Sequence, residues 1–158
     1  MNKTFFAIVT LAILLLTSAQ YTTPSDARVG YQAPSITLTN SDTTMAMQDL
    51  RGKFVLITFW SSALPETRMA NKAFAQLTAE RDDIVYLAVN VDRSEGLFHQ
   101  LIAMDGIASR SQFHISLESQ EQIMRNWRQQ PEALSAFVIN PQGKIIMEDP
   151  SLDNLAKL

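Results

Sequence analysis

Two apolar runs, separated by one helical pattern, constrain the fold of this chain most. Residues 54–60 and 84–91 are rich in β-branched and aromatic side chains, which is typical of strands covered on both faces. Between the runs, Pro65 and Glu66 suit the first turn of a helix over residues 65–80. The spacing therefore predicts a strand–helix–strand unit with parallel strands and a right-handed crossover.

The 3.6-residue period of this helix assigns its side chains to two faces. The inward face is predicted to contain Ala70, Ala73, Phe74 and Leu77. The face toward water is predicted to contain Arg68, Asn71, Lys72 and Gln76.

Shorter patterns complete the predicted element order. An edge strand is expected over residues 33–39, a helix over 95–104 and a short strand over 113–115, with His114 pointing to solvent. A capping box at Ser119 and Gln122 predicts a short helix. Residues 136–139 and 144–147 flank a Pro- and Gly-containing turn and predict a hairpin, and Ser151 is the expected N-cap of a last helix.

The N-terminus has the three parts of a secretory signal peptide. Lys3 precedes an apolar stretch of about twelve residues, and small residues lead to a cut expected after Ala19. We therefore divide the chain into a signal peptide over 1–19, a linker over 20–28 and one domain over 29–158. The mature protein is expected to be periplasmic or extracellular, with no stable membrane span after cleavage.

The composition excludes several chemistries. The chain has no Cys, so it has no disulfide, no thiolate nucleophile and no lipid-modified cysteine, and we do not expect a lipoprotein. It has two His residues, and its 13 basic residues stand against 16 acidic ones without a basic cluster. We therefore expect no metal site, no cofactor and no nucleic-acid partner.

Three separated motifs resemble one family. Residues 29–38 resemble the G-x-x-A-P-x-F-x-L opening of TlpA/ResA-type envelope thioredoxins and of the related AhpC/TSA (redoxin) group. Residues 50–60 resemble their L-R-G-K-x-V-L-x-x-F-W, and residues 137–145 resemble their F-L-I-D-x-x-G-K-I. The resemblance implies a thioredoxin-like α/β fold, with a central mixed sheet flanked by helices and an N-terminal strand extension. It also implies a family-level activity of thiol–disulfide oxidoreductase.

The chain departs from this family where the chemistry takes place. Leu64 and Thr67 stand at the positions of the two family cysteines, and neither side chain can attack a disulfide. The family's cis-proline aligns with Leu134, where we expect a trans bond and a rearranged loop, because a cis bond before leucine costs about 2.5–4 kcal/mol. Pro131 takes over that position only if the alignment slips by three residues.

These observations favour a non-catalytic binding or assembly module over an enzyme. The resemblance places the binding surface where relatives grip an extended substrate, and the partner is then an envelope protein or an extended peptide. An alternative is a small-molecule carrier with its ligand beside Trp60, although such a tryptophan more often packs in the core. A second alternative is an enzyme of non-thiol chemistry that uses Glu66 and a hydroxyl, although helix dipole and capping roles also explain these side chains. The candidate binding residues are Trp60, Ser62, Leu64, Pro65, Glu66, Thr67, Arg68 and Leu134.

Overall fold

The computed structural model describes residues 25–158. The predicted signal peptide and residues 20–24 of the predicted linker lie outside the described residues. Ala27, which the sequence places in the linker, is 2% exposed and packs in the hydrophobic core. The packed part of the chain therefore includes residues before Val29.

The described elements follow the predicted order. The strands are β1 (Thr37–Thr39), β2 (Thr44–Ala46), β3 (Phe54–Trp60), β4 (Ile84–Asn90), β5 (Gln112–His114), β6 (Ala136–Ile139) and β7 (Ile145–Glu148). The helices are α1 (Pro65–Thr78), α2 (Glu95–Asp105), α3 (Leu117–Asn126) and α4 (Leu152–Leu155). Short 3-10 turns cover Met47–Leu50 and Ser109–Ser111.

A mixed five-stranded sheet in the order β5-β4-β3-β6-β7 forms the centre of the fold. β3 pairs in parallel with β4, from Phe54 opposite Ile84 to Trp60 opposite Asn90. β6 pairs antiparallel with β3 and with β7. The predicted parallel strand–helix–strand unit and the C-terminal hairpin are therefore confirmed.

The sheet separates two hydrophobic cores. One contains Phe59, Trp127 and Phe137, and the other contains Trp60, Phe74 and the α2 side chains around Phe98. Successive residues of β3 alternate between these cores, which explains why its sequence is apolar almost without interruption. Each large apolar side chain that is fully buried stabilises the folded state by about 1.5–3 kcal/mol relative to leaving it exposed to water.

One local prediction, at α3, is wrong. The predicted N-terminal strand is present as β1, with alternate residues exposed, and it pairs with β2 in a separate two-stranded antiparallel sheet. α3 begins after Ser116, and the predicted capping box is absent because the Ser119 hydroxyl donates back to the Ser116 carbonyl. The predicted cap at Ser151 is confirmed, since its side chain and that of Asn154 form a capping box.

The prediction that Asn71 faces water is also wrong. Asn71 is fully buried on the inner face of α1. Its side-chain amide forms two reciprocal 3.0 Å hydrogen bonds with the side chain of Gln112. The hydroxyl of Tyr86 donates to Asn71 Oδ1 at 2.7 Å. Burial raises the pKa of Tyr86 well above its usual value, so this hydroxyl stays protonated and remains a donor. A buried polar group is tolerated here because each polar side chain in the set has a partner.

Candidate functional site

The candidate site lies where β3 ends and α1 begins. Residues 61–64 form the loop between the two elements, and Thr67 in the first turn of α1 lines the same cavity as Leu134, which lies in the loop of residues 129–135 before β6. We call the surface between Ser62–Arg68 and this second loop the groove. It corresponds to the position that the sequence analysis assigned to the family's cysteines and cis-proline.

Asp92 holds the first of these loops and is not among the residues predicted from the sequence. Its carboxylate accepts hydrogen bonds from the Ser61 hydroxyl at 2.6 Å, from the backbone N–H of Ser62 at 3.0 Å and from the Ser62 hydroxyl at 3.1 Å. Asn90 Nδ2 donates to the other carboxylate oxygen at 3.0 Å. Burial alone would raise the pKa of Asp92, but the hydrogen bonds from Asn90, Ser61 and Ser62 together lower it below 3.8.

The position of Asp92 in the sequence carried a usable signal. It follows a buried strand by two residues, and the carboxyl ends of adjacent parallel strands lie at the same edge of a sheet. An acidic residue after β4 therefore lies beside the loop that follows β3. The Asp92 carboxylate accepts hydrogen bonds from Ser61, Ser62 and Asn90. At neutral pH it therefore anchors Ser61 and Ser62.

Trp60 does not line the groove. Its side chain is fully buried and packs against Phe98, with ring centroids 6.1 Å apart. The prediction that it belongs to the binding surface is wrong because its side chain packs in the core that also contains Phe74 and Phe98. The alternative in which a bound ligand stacks on Trp60 loses its main contact for the same reason.

Thr67 stabilises the first turn of α1 from within. Its hydroxyl donates to the Leu64 carbonyl at 2.8 Å and accepts from the Ser61 N–H at 3.2 Å. Leu64, the N-cap residue, provides no side-chain cap. Thr67 therefore takes over part of the capping that serine or aspartate at the N-cap usually supplies.

The remaining predicted residues of α1 lie at the surface, and one is tied to a neighbouring helix. Pro65 and Glu66 are exposed. Arg68 is partly buried and forms a bidentate ion pair with Asp105 of α2, with both nitrogen–oxygen distances 2.8 Å. Arg68 therefore connects α1 to α2 and is not a free cation of the groove.

Leu134 borders the groove from the other side, in a loop held by side chains. No cis peptide bond occurs within residues 25–158, so both Leu134 and Pro131 have trans bonds, as expected for Leu134. Gln129 is buried, and its side chain accepts from the Ser135 N–H at 2.7 Å and donates to the Trp127 carbonyl at 2.8 Å. Among the described residues, neither the N–H nor the carbonyl of Leu134 has a hydrogen-bond partner.

A slot of about 150 Å³ opens between α1 and β6 beside Leu134. Its lining residues are Thr58, Phe59, Thr67, Ala70, Phe74, Leu134, Ala136, Asp149 and Pro150. Asp149 fixes the β6 side, because its carboxylate accepts from the Ala136 N–H at 2.8 Å and its own N–H donates to the Ala136 carbonyl at 2.7 Å. The groove thus combines an open backbone position with a small slot whose lining is about equally polar and apolar.

The two histidines lie away from the groove surface. His114 is half-buried against Phe98, and its Nε2 lies 2.8 Å from the Asp92 carbonyl, so the prediction that it points to solvent is wrong. His99 is exposed on α2 beside Glu95. Within residues 25–158, no group of three His, Asp or Glu side chains is arranged to hold a metal ion.

Residues 29–147 match the family described as AhpC/TSA. The chain belongs to the AhpC/TSA family. No curated protein matches the chain in sequence. The chain contains no cysteine. It therefore lacks both of the thiols on which the redox-active members of the family depend.

Solved structures with the same fold identify the architecture of the chain. A thioredoxin-like protein from Parabacteroides distasonis superposes with a TM-score of 0.71 at 21% identity, covering 84% of this chain and 95% of that one. The thioredoxin domain of a thiol-disulfide oxidoreductase from Bacteroides vulgatus gives 0.71 at 22% identity, covering 82% and 94%. A putative thiol:disulfide interchange protein DsbE from Chlorobium tepidum gives 0.67 at 20% identity, covering 82% and 92%. The predicted thioredoxin-like α/β fold, with a central mixed sheet flanked by helices, is confirmed.

No helix within residues 25–158 is both long enough and apolar enough to cross a bilayer.

Proposed function

We propose that this protein is an exported, non-catalytic binding module that holds a partner segment in the groove. The observation that carries the proposal is that Leu64 and Thr67 occupy the cysteine positions while the surrounding loops remain anchored by Asp92, Gln129 and Asp149.

The groove has the features that an extended peptide requires. The N–H and carbonyl of Leu134 are available to pair with a peptide backbone, in the manner of strand addition. The adjacent slot of about 150 Å³ has room for one aliphatic side chain. Its volume is below the range of about 300–1,000 Å³ that is usual for sites of drug-sized ligands, which disfavours the carrier alternative.

The non-thiol enzyme alternative has little support in the side-chain geometry. The Ser61 hydroxyl is buried and donates to Asp92, and the Thr67 hydroxyl donates to the Leu64 carbonyl. Nucleophilic use of either hydroxyl needs a base that accepts its proton while the oxygen attacks a substrate, and the lowered pKa of Asp92 makes that carboxylate a weak base. Glu66 is exposed and forms no hydrogen bond with another described side chain.

Export rests on the N-terminal sequence. We propose that residues 1–19 direct the chain out of the cytoplasm, to the periplasm or the exterior, and are then removed. Mass spectrometry of the N-terminal peptide of the protein recovered from the envelope tests this step. A first residue of Gln20 supports it, and a chain that retains Met1 contradicts it.

Site-specific photo-crosslinking in the native envelope tests the binding role. A benzophenone amino acid is placed at the exposed groove positions Glu66 and Ala133, and at Lys144 and Asp153 as distant exposed controls. We expect both groove positions to capture the same partner and the controls to capture nothing.

A paired substitution shows whether the captured partner occupies the groove. Leu64→Asp puts a charge in the groove but keeps α1, because aspartate is a favourable N-cap residue. Leu152→Asp makes the same change at a leucine elsewhere that is 44% exposed. Capture should be lost in the first variant and kept in the second. Capture that persists in Leu64→Asp, or that is equal at the control positions, contradicts the proposal.

A further inference from the structure

The central sheet has an incomplete edge at β4. β5 pairs with β4 only from Ala88 to Asn90, opposite Gln112 to His114. Residues 84–87 pair with β3 on one side, and among the described residues no strand pairs with them on the other. The first half of β4, residues 84–87, is therefore an edge strand. The second half pairs with β5.

The hydrogen bonds at the ends of β4 show which backbone groups face this edge. The Asp83 carbonyl accepts from Phe54 and the Val91 N–H donates to Trp60, so both groups point toward β3. The Asn90 carbonyl accepts from Ile115 and points the opposite way, toward β5. Because backbone groups alternate along a strand, the N–H and carbonyl of Ile84 and Tyr86 point outward.

A cleft of about 490 Å³ lies beside this edge. Its floor includes Ile84, Val85 and Tyr86, and Met45 and Ile107 add apolar surface. Small residues line its walls on both sides, which leaves room for a backbone to approach; they are Ala75, Ala79, Gly106 and Ala108.

The charges of the cleft favour an acidic occupant. Lys53 and Arg110 line it and are exposed, and neither forms an ion pair within the described part of the chain. Arg81 and Asp105 also line it, but they are paired with Asp83 and Arg68. Asp82 is then the one unpaired acidic side chain in the lining, against two unpaired basic ones.

We propose that this cleft binds an extended acidic segment of a partner protein as an added strand along residues 84–87. The outward groups of Ile84 and Tyr86 pair with the segment's backbone, in the way that other exposed sheet edges recruit peptides. Alternate side chains of the segment lie on Met45 and Ile107, and its acidic side chains reach Lys53 and Arg110. The cleft lies at the start of β4 and the groove follows the end of β3, so this inference is independent of the function proposed for the groove.

A pair of short labelled peptides tests the charge preference. Acetyl-Glu-Val-Glu-Val-Glu-Val-amide is expected to bind to the intact domain in a fluorescence anisotropy titration, and the matching Lys-Val peptide is expected to bind more weakly. The double variant Lys53→Glu/Arg110→Glu should lower the affinity for the acidic peptide by at least about tenfold. Lys72→Glu/Lys144→Glu makes the same change of net charge at exposed lysines outside the cleft and should leave the affinity unchanged.

Two further measurements locate the peptide. Ala79→Trp fills the cleft from an exposed position and should abolish binding without unfolding the domain. Hydrogen exchange should show new protection at the amides of Ile84 and Tyr86, whereas Val85 and Leu87, which face β3, should change little. The proposal is overturned if neither peptide binds at millimolar concentration, if both bind equally, if both double variants behave alike, or if the protection appears at Leu134 instead.

Discussion

Replacing Asp92 by alanine should separate its anchoring role from general effects of charge. The substitution removes the acceptor of the buried Ser61 hydroxyl and of Asn90 Nδ2, which is also buried. Each buried donor that loses its partner costs about 1–3 kcal/mol. We therefore expect Asp92→Ala to lower the free energy of unfolding by about 2–6 kcal/mol at pH 7.

The pH dependence of this loss is a second, sharper expectation. The pKa of Asp92 is lowered in the folded protein, so its charged form is stabilised by folding. That stability is fully present above the ordinary carboxyl pKa of 3.8 and is lost as the pH falls through the lower value of the folded state. The difference in the free energy of unfolding between the native protein and Asp92→Ala should therefore become smaller in strongly acidic solution.

Urea unfolding followed by circular dichroism at pH 7 and at about pH 2 measures both effects. Asp82→Asn is a suitable control, because this exposed carboxylate has no side-chain hydrogen bond among the described residues. It should change stability by less than about 0.5 kcal/mol. A loss for Asp92→Ala that is no larger than the control, or that is the same at both pH values, would refute the anchoring role.

Two further substitutions test the buried amide set and the degenerate position. Asn71→Leu leaves the buried groups of Gln112 and Tyr86 without partners and should cost about 2–4 kcal/mol in urea unfolding, whereas a result near zero would contradict the network. Leu64→Cys/Thr67→Cys restores two thiols at the N-terminus of α1, where the helix dipole favours a thiolate. The dithiol form of the double variant should reduce insulin disulfides in a turbidity assay and become an intramolecular disulfide, which the dithiothreitol of the assay reduces again. A variant that folds but stays inactive would show that the scaffold has changed beyond the two thiols.

The parts of the fold that follow from local pattern could be predicted from the sequence. The apolar runs of β3 and β4 have the composition of strands buried on both faces, and the hairpin from β6 to β7 has a turn with its own residue signature. Ser151 was identified as a cap because capping depends on neighbours a few residues away. These features need no knowledge of distant contacts.

The misplaced residues depend on tertiary partners. Asn71 is polar, so its helical position predicted exposure, but Gln112 lies 41 positions away in sequence and provides the amide that satisfies it. His114 turns inward for a similar reason, since its Nε2 lies beside the Asp92 carbonyl. No single-sequence pattern reveals such a pairing.

Which family positions form the candidate site could be proposed from the sequence motifs, but the packing of the side chains around those positions could not be predicted. The motif positions located Leu64, Thr67 and Leu134 around one surface, whereas Trp60 was assigned to that surface although it packs inside. The residues that anchor the loops, Asp92 and Gln129 among them, lie outside the family's cysteine and proline motifs and were missed.

The central claim is that the groove binds its partner without thiol chemistry, and the affinity of the crosslinked partner tests it most directly. Calorimetric titration of the purified partner is carried out with the native protein, with Leu64→Asp and with the control variant Leu152→Asp. The account predicts an affinity that Leu64→Asp weakens by at least about tenfold, the equivalent of 1.4 kcal/mol, and that Leu152→Asp leaves unchanged. Binding that Leu64→Asp leaves unchanged, or that both variants weaken alike, would contradict it.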